Sequence, residues 1–342
     1  MPSPRTRRTP RHHRCHDHAA QRTRPVVTVL YRQALPPRLA EIEDIANVRL
    51  TTADGLAEAL DGADVLYQWH SFSPALRENW GAAKSVQWVH VSAAGVSQLL
   101  FDELIGSDIV YTNSRGVLSR AIAEFALGFV LDMAKDAQTS FRLQQQHRWQ
   151  HRVTRKIQGQ SALVVGTGSI GREIARLFRA VGMEVSGAGR THRSGDDDFH
   201  QIHSSKDLTR IVGDYDYLML AAPLTAETRG LVSADVLAAM SPTARLINVG
   251  RGELVDTTAL TDALASGSIA GAALDVVDPE PLPDGHILWG MDNVIITPHM
   301  SGDTQDYLDD LGQLFVDNLR RFCHGEPLEN VVDKALGFVT AS

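Results

Sequence analysis

Cysteine is nearly missing from this chain of 342 residues: Cys15 and Cys323 are the two present, and they lie far apart. A disulfide framework is thereby excluded, and a reducing cytoplasm is the simplest setting. No run approaches the roughly 20 consecutive apolar residues that a membrane-spanning helix needs. Negative charge predominates outside the first 24 residues. That head holds seven arginines and one aspartate, net +6, which leaves −14 for the remainder of a chain of net charge −8. An acidic body repels a phosphate backbone, so nucleic acid is not the expected partner. The head also lacks the large apolar residues of an amphipathic helix, which sets aside a transit peptide and predicts a disordered basic tail over 1–24.

The apolar fraction of 43% and charged fraction of 22% belong to an ordinary globular protein. At this length two domains sharing a cleft are expected. Folded sequence begins near Pro25-Val26-Val27-Thr28-Val29-Leu30, an apolar run with the character of a buried strand. Strand-like runs follow at 63–67, 86–91 and 108–111, separated by helical stretches, which predicts a small parallel α/β unit. Ser119 to about Trp149 reads as one long helix, apolar in its first half and polar in its second, bridging two domains. Further strands are expected at 161–165, 184–187, 217–222, 245–249, 270–276 and 293–297, then a helix through Leu319 and an extended tail. Regular alternation of strand and helix predicts doubly wound parallel sheets, two Rossmann-like α/β domains with a cleft between them.

One glycine pattern sits where chemistry needs it. Leu163-Val164-Val165 runs into Gly166-Thr167-Gly168-Ser169-Ile170-Gly171 and then an amphipathic helix. Gly166 permits the tight turn, Gly168 lets backbone approach a pyrophosphate, and Gly171 lets helix and strand pack closely. Amides at the helix start, including those of Ser169 and Ile170, then hold the anion. After the next strand an NAD site places an acid for the ribose hydroxyls. Here the residues are Arg190-Thr191-His192-Arg193, with two guanidinium groups suited to a 2′-phosphate. NADP is therefore preferred, while Asp196-Asp197-Asp198 lies near enough to offer a carboxylate and keeps NAD open.

Three polar residues end strands in this half: Arg251 after Asn248-Val249-Gly250, Glu280 within Asp278-Pro279-Glu280-Pro281, and His299 after Thr297-Pro298. Each alone has a bland explanation. Behind a dinucleotide loop they supply what reduction of a 2-oxo acid requires. A guanidinium grips the carboxylate and polarises the carbonyl. An imidazolium donates the proton. A neighbouring carboxylate stabilises that imidazolium. No metal enters this reading.

Taken in order, Gly168-Ser169-Ile170-Gly171, Pro223-Leu224-Thr225 with Thr228-Arg229-Gly230, Asn248-Val249-Gly250-Arg251-Gly252, Leu274-Asp275-Val276 with Glu280-Pro281, and Thr297-Pro298-His299 resemble the D-isomer-specific 2-hydroxyacid dehydrogenases. Asn113, Ala123-Glu124, Asn318-Leu319 and Gly325-Glu326-Pro327-Leu328 extend the resemblance over roughly 60–333. It implies a dinucleotide domain over 121–299 and a substrate domain built from both ends, 25–120 and 300–335. It implies that Arg251 binds the substrate carboxylate, that Glu280 partners His299, and that His299 is the acid/base. Asp275 would meet the nicotinamide amide. Ala222, Pro223, Thr225, Thr228, Val249 and Gly250 would line the cofactor, and a homodimer is expected.

The substrate loop departs from the family's Gly-Ala-Gly-x-Asp: this chain has Ala93-Ala94-Gly95-Val96-Ser97, without the acid. Amides of Ala94, Gly95 and Val96 still suffice to bind a carboxylate, since no side chain is needed. A facing loop, Tyr67-Gln68-Trp69-His70-Ser71-Phe72, is unusually aromatic and either meets the substrate or only packs. The leading reading is a reductase of a small 2-oxo acid such as glyoxylate or hydroxypyruvate. A phosphite-type dehydrogenase on the same scaffold and a nucleotide-sensing corepressor-like binding protein are the alternatives.

Overall fold

Residues 24–96 and 98–339 are described in the computed structural model. Ser97 and the basic head, Arg24 excepted, lie outside the described residues. Twelve strands form among the described residues, and they fall into two sheets. The first contains β1 (Val26–Leu30), β2 (Asn47–Thr51), β3 (Val65–Gln68), β4 (Trp88–Val91) and β5 (Val110–Asn113). Their order is β2-β1-β3-β4-β5 and every pair is parallel. The second contains β6 (Ser161–Val165), β7 (Glu184–Gly189), β8 (Ile202–Ser204), β9 (Tyr217–Leu220), β10 (Arg245–Asn248), β11 (Gly271–Leu274) and β12 (Val294–Ile296). Its order is β12-β11-β10-β9-β6-β7-β8, again parallel throughout. These are two doubly wound sheets, as the alternation of apolar runs predicts.

Two strands carry no signal in the sequence. β2 exposes three of its five residues, and β8 has three residues, so neither shows an apolar run. Both are edge strands, covered on fewer sides than the central ones. The long helix predicted from Ser119 to about Trp149 is also divided. Asp136 adopts a left-handed conformation (φ 51°, ψ 49°), which ends one helix at Lys135 and starts another over Ala137–Gln145. Trp149 lies beyond both, in an irregular strap.

The apolar half of Ser119–Lys135 buries Ile122, Ala126, Phe129 and Val130 with Ile174 and Phe178 of the helix Ser169–Ala180 and with β6. The last helix, Tyr307–His324, turns back to the first sheet and packs Phe315, Val316 and Leu319 on Val27, Tyr67 and Trp88. The two connections between sheets pass side by side: a Cβ on Gly302 would lie 3.2–3.6 Å from Leu118 and Ile122.

His90 lies on the same face of β4 as Trp88, wholly buried. Its Nδ1 is 2.8 Å from the Thr112 hydroxyl, which also accepts from Trp88 Nε1 at 2.8 Å. Its Nε2 is 3.4 Å from the Ser114 hydroxyl. With no carboxylate in this network, burial pushes the imidazole pKa down to about 3. Between the unfolded value of about 6.5 and that native value, the unfolded chain binds a proton that the native one does not. Stability is therefore present above about pH 6.5 and declines as pH falls, by ~2 kcal/mol at about pH 5 from this group alone. Urea unfolding at the two pH values tests this: His90→Gln is expected to show a smaller acid loss than wild type, and equal losses would refute it.

Candidate active site

Parallel strands deliver their following loops to one edge, and ligands bind where strand order reverses. In the second sheet that reversal lies between β6 and β9. Gly166 follows β6 with φ 103°, and a Cβ there would sit 2.6 Å from the amide nitrogen of Ala222, which follows β9. A Cβ on Gly171 would stand 1.8 Å from the Gly166 carbonyl oxygen. In front of Gly168 there is open space, with nothing within 4 Å of the same construction. The helix Ser169–Ala180 has no side-chain cap, so its first amides keep their donors for a ligand. A turn this tight, with an open face and uncapped amides, fits a dinucleotide pyrophosphate.

Pro223 to Thr228 closes the adjoining loop. The Thr228 hydroxyl accepts from the Thr225 amide at 2.7 Å and donates to the Pro223 carbonyl at 2.7 Å. Val249 is buried, and a Cβ on Gly250 would come within 3.0 Å of the Ala222 carbonyl oxygen. The residues after β6, β9 and β10 that were expected to line a cofactor thus meet around one crevice.

At the end of β7 the charges sort themselves. Arg172 holds both Asp196 (2.7 Å) and Asp198 (2.6 Å), and Arg176 Nε holds Asp198 at 2.7 Å. The Arg172 guanidinium keeps the Asp196 carboxyl below its usual pKa. Asp196 and Asp198 therefore turn onto the helix Ser169–Ala180 with their carboxylates already paired, Asp196 also lying 3.9 Å from Arg193 Nε. Arg193 reaches the glycine loop, its Nη2 donating to the Thr167 hydroxyl at 3.2 Å. Arg190 and Thr191 are exposed beside it. Among the described residues Arg190 has no ion pair, and its guanidinium faces the Phe338 ring at 5.1 Å.

Asn248 shapes the arginine loop after β10. Its side chain is buried, accepts from the Gly250 amide at 3.0 Å and donates to the Arg251 carbonyl at 2.9 Å. A Cβ on Gly252 would fall 1.9 Å from the Val277 carbonyl oxygen, so this turn lies flat against the segment leading to Glu280. Arg251 points across to the first sheet, where a Cβ on Gly95 would be 2.3 Å from its Nη2. Burial pulls its pKa below the usual guanidinium value, and Glu280 and Glu253 oppose that shift.

The substrate loop follows β4. Asn113, buried at the end of β5, donates to the Ala94 carbonyl at 2.6 Å, and Ser114 donates its amide to the Ala93 carbonyl at 2.9 Å. With its carbonyls so engaged, the loop turns its amides outward. Among the described residues, those of Ala94, Gly95 and Val96 donate to nothing. The neighbouring loop is tied on through the Ser71 hydroxyl and the Ser92 carbonyl, 2.7 Å apart. Its Tyr67 and Trp69 turn into the core, which leaves Phe72 exposed.

His299 and Glu280 form a close pair, Nδ1 to Oε1 2.6 Å, both about 40% exposed. His299 adopts φ 52°, a left-handed conformation rare for a residue with a Cβ. Asp275 compensates for it. This buried carboxylate accepts from the Thr297 hydroxyl (2.6 Å) and from the amides of Met300 (2.9 Å) and Ser301 (3.0 Å). The His299 amide in turn donates to the Asp275 carbonyl at 2.8 Å. The anchoring by Asp275, Asn248 and Asn113 was not read from sequence. All three end strands, which was the available signal.

The glycine loop, Arg251 and the His299–Glu280 pair follow strands of the second sheet, and the free amides of Ala94, Gly95 and Val96 meet Arg251 from the first, an arrangement suited to dinucleotide-dependent redox chemistry. The chain matches the profile of the D-isomer specific 2-hydroxyacid dehydrogenase NAD binding domain over residues 127–301. It is 31% identical to the glyoxylate reductase of Pyrococcus furiosus over 252 residues, 71% of this chain and 74% of that one. The D-isomer specific 2-hydroxyacid dehydrogenase of Xanthobacter autotrophicus Py2, solved with NADPH and MES, is 30% identical and superposes with a TM-score of 0.78, covering 92% of this chain and all of the other. An NADPH-dependent glyoxylate/hydroxypyruvate reductase of Sinorhizobium meliloti, 25% identical, gives a TM-score of 0.77 over 92% of this chain and all of its own. The chain belongs to the D-isomer specific 2-hydroxyacid dehydrogenase family, and it is an NAD(P)-dependent oxidoreductase.

The contact between Gly95 and Arg251 yields a prediction. Gly95→Ala forces the guanidinium out of the substrate loop, and kcat/KM for a 2-oxo acid is expected to fall about 10- to 100-fold. Melting temperature should change little, since both residues face the cleft. Unaltered steady-state kinetics in this variant would show that Arg251 works elsewhere.

Proposed function

We propose that this protein is an NADPH-preferring reductase of a small 2-oxo acid of the glyoxylate or hydroxypyruvate kind, giving the D-2-hydroxy acid. The observation that carries the reading is the seat of Arg251 against Gly95, beside three amides without acceptors and on the same sheet as the His299–Glu280 pair. The names of the relatives from P. furiosus and S. meliloti support the same substrate class. The NADPH preference is supported by the pairing of Asp196 and Asp198 with Arg172 and Arg176, which withdraws the nearby acids from a ribose. The division into a substrate domain (25–120 and 300–335) and a dinucleotide domain (121–299) belongs to this proposal.

In mechanism, Arg251 and the amides of Ala94, Gly95 and Val96 hold the substrate carboxylate, a charge-assisted arrangement that also orients the carbonyl. Gly166 to Gly171, Ala222 to Thr228, Val249, Gly250 and Asp275 would line the dinucleotide, and Arg190, Thr191 and Arg193 would take its 2′-phosphate. When bound, NADPH supplies the hydride that reaches the carbonyl carbon. Glu280 occupies His299 Nδ1, which leaves Nε2 to donate a proton to the carbonyl oxygen and stabilises the imidazolium beforehand. Closure of the two domains excludes water from this transfer. A cytoplasmic setting suits a chain with two cysteines, and no helix among the described residues is long and apolar enough to cross a membrane. A homodimer fits the helix Ala137–Gln145 and the strap after it, where Phe141, Trp149 and Val153 are largely exposed.

The test is oxidation of NADPH, with NADH in parallel, across glyoxylate, hydroxypyruvate, pyruvate, phenylpyruvate and a branched 2-oxo acid. Turnover of a small acid with NADPH is expected. A clear NADH preference would sink the cofactor assignment, and no turnover with any acid would sink the reaction. His299→Ala should lower kcat about 10²- to 10⁴-fold. Arg251→Ala should raise KM by about 10- to 150-fold, as expected for loss of charged hydrogen bonds. A near wild-type kcat in the first variant would remove His299 as the acid.

A further inference from the structure

A short hairpin near the carboxyl end joins the first sheet to the proposed 2′-phosphate site. Residues 333–338 close on themselves: Asp333 and Phe338 pair in an antiparallel bridge, with the Asp333 amide donating to the Phe338 carbonyl at 3.1 Å. Asp333 Oδ1 accepts from the amides of Ala335 and Leu336, both at 3.0 Å. The hairpin is fixed to the first sheet's side of the molecule. Lys334 Nζ donates to the carbonyls of Ser107 (2.6 Å) and Ile109 (3.0 Å), and Val339 packs on the core beneath β5. Phe338 of this hairpin reaches the other sheet, where its ring centroid lies 5.1 Å from the Arg190 guanidinium carbon.

That contact has a directional consequence. A guanidinium is planar, and stacking on an aromatic ring uses its face and leaves its in-plane N–H groups on the rim. Among the described residues no acceptor meets those groups of Arg190, in contrast to Arg172 and Arg176 on the adjacent helix. An aromatic backing therefore holds a long, otherwise mobile side chain still while its donors stay available for a tetrahedral anion.

We propose that Phe338 is a positioning residue for cofactor selection: it holds Arg190 ready for the 2′-phosphate, and through Lys334 it ties that recognition to the approach of the two domains. The inference rests on the reading of Arg190 as a phosphate ligand. It makes residues 333–338, more than 140 positions from Arg190 in sequence, part of the adenosine end of the site.

The experiment uses cofactor fragments that lack the nicotinamide, so binding is measured apart from turnover. Calorimetric titration of the full chain with 2′,5′-ADP and with 5′-AMP gives the contribution of the 2′-phosphate. Wild type should bind 2′,5′-ADP more tightly. Phe338→Ala should weaken 2′,5′-ADP by about two- to fivefold, the worth of one exposed cation–π contact, and leave 5′-AMP unchanged. Phe338→Tyr should retain wild-type affinity, and in an Arg190→Ala background Phe338→Ala should cost nothing more. Unchanged 2′,5′-ADP binding in Phe338→Ala, or equal weakening of both ligands, would overturn the inference and leave NADPH preference standing. A wild-type protein that binds the two fragments equally would overturn both together.

Discussion

The guanidinium of Arg251, pressed against the one residue without a side chain in the opposite loop, is the contact on which the site depends. It brings a strand end of the second sheet to a strand end of the first, and a side chain on Gly95 would require the guanidinium to shift. Everything around it serves to place it. Asn248 fixes the turn from which it springs, and Gly252 lets that turn lie against the segment bearing Glu280. On the far side, Asn113 and Ser114 take up the carbonyls of the substrate loop, so that its amides face outward beside the guanidinium. A partly buried cation needs compensation. Glu253 and Glu280 supply part of it, and an anionic substrate would supply more.

The same economy governs His299. A histidine with left-handed backbone is costly by itself, of order 1–3 kcal/mol, and persists where the surroundings over-determine it. Asp275 supplies that determination with three hydrogen bonds to its carboxylate and one to its own carbonyl. The residue that the family resemblance places near the nicotinamide amide is thus also what orients the acid/base loop. At the adenosine end, pairing of Asp196 and Asp198 with two helix arginines answers a question the sequence left open, namely which charges remain for a ligand. Arg190 does, while Arg193 keeps a longer 3.9 Å approach to Asp196.

Much of this was legible before any coordinates. Central strands are buried on both faces and must be apolar, so β1, β3, β4, β6, β9 and β10 announce themselves as short apolar runs. Edge strands need not be, which is why β2 and β8 left no trace. The break at Asp136 was equally silent, because a single left-handed residue hardly disturbs a helical pattern in a half-exposed segment. Gly166 and Gly171 were readable because close backbone approach admits no other residue there, and Gly168 because it leaves the face of the turn open.

What the sequence by itself determined is the set of local constraints: alternating apolar runs, three glycines before a helix, and polar residues stationed at strand ends. These follow from backbone geometry and burial, which act over a few residues and leave their mark in composition and spacing. Only the tertiary structure decided the partnerships of Arg251 with Gly95, Asp275 with the loop beyond it, and Phe338 with Arg190. Each pairs groups brought together by parallel crossovers, and hydrogen bonds and stacking at 3–5 Å have no periodicity by which a linear sequence could betray them.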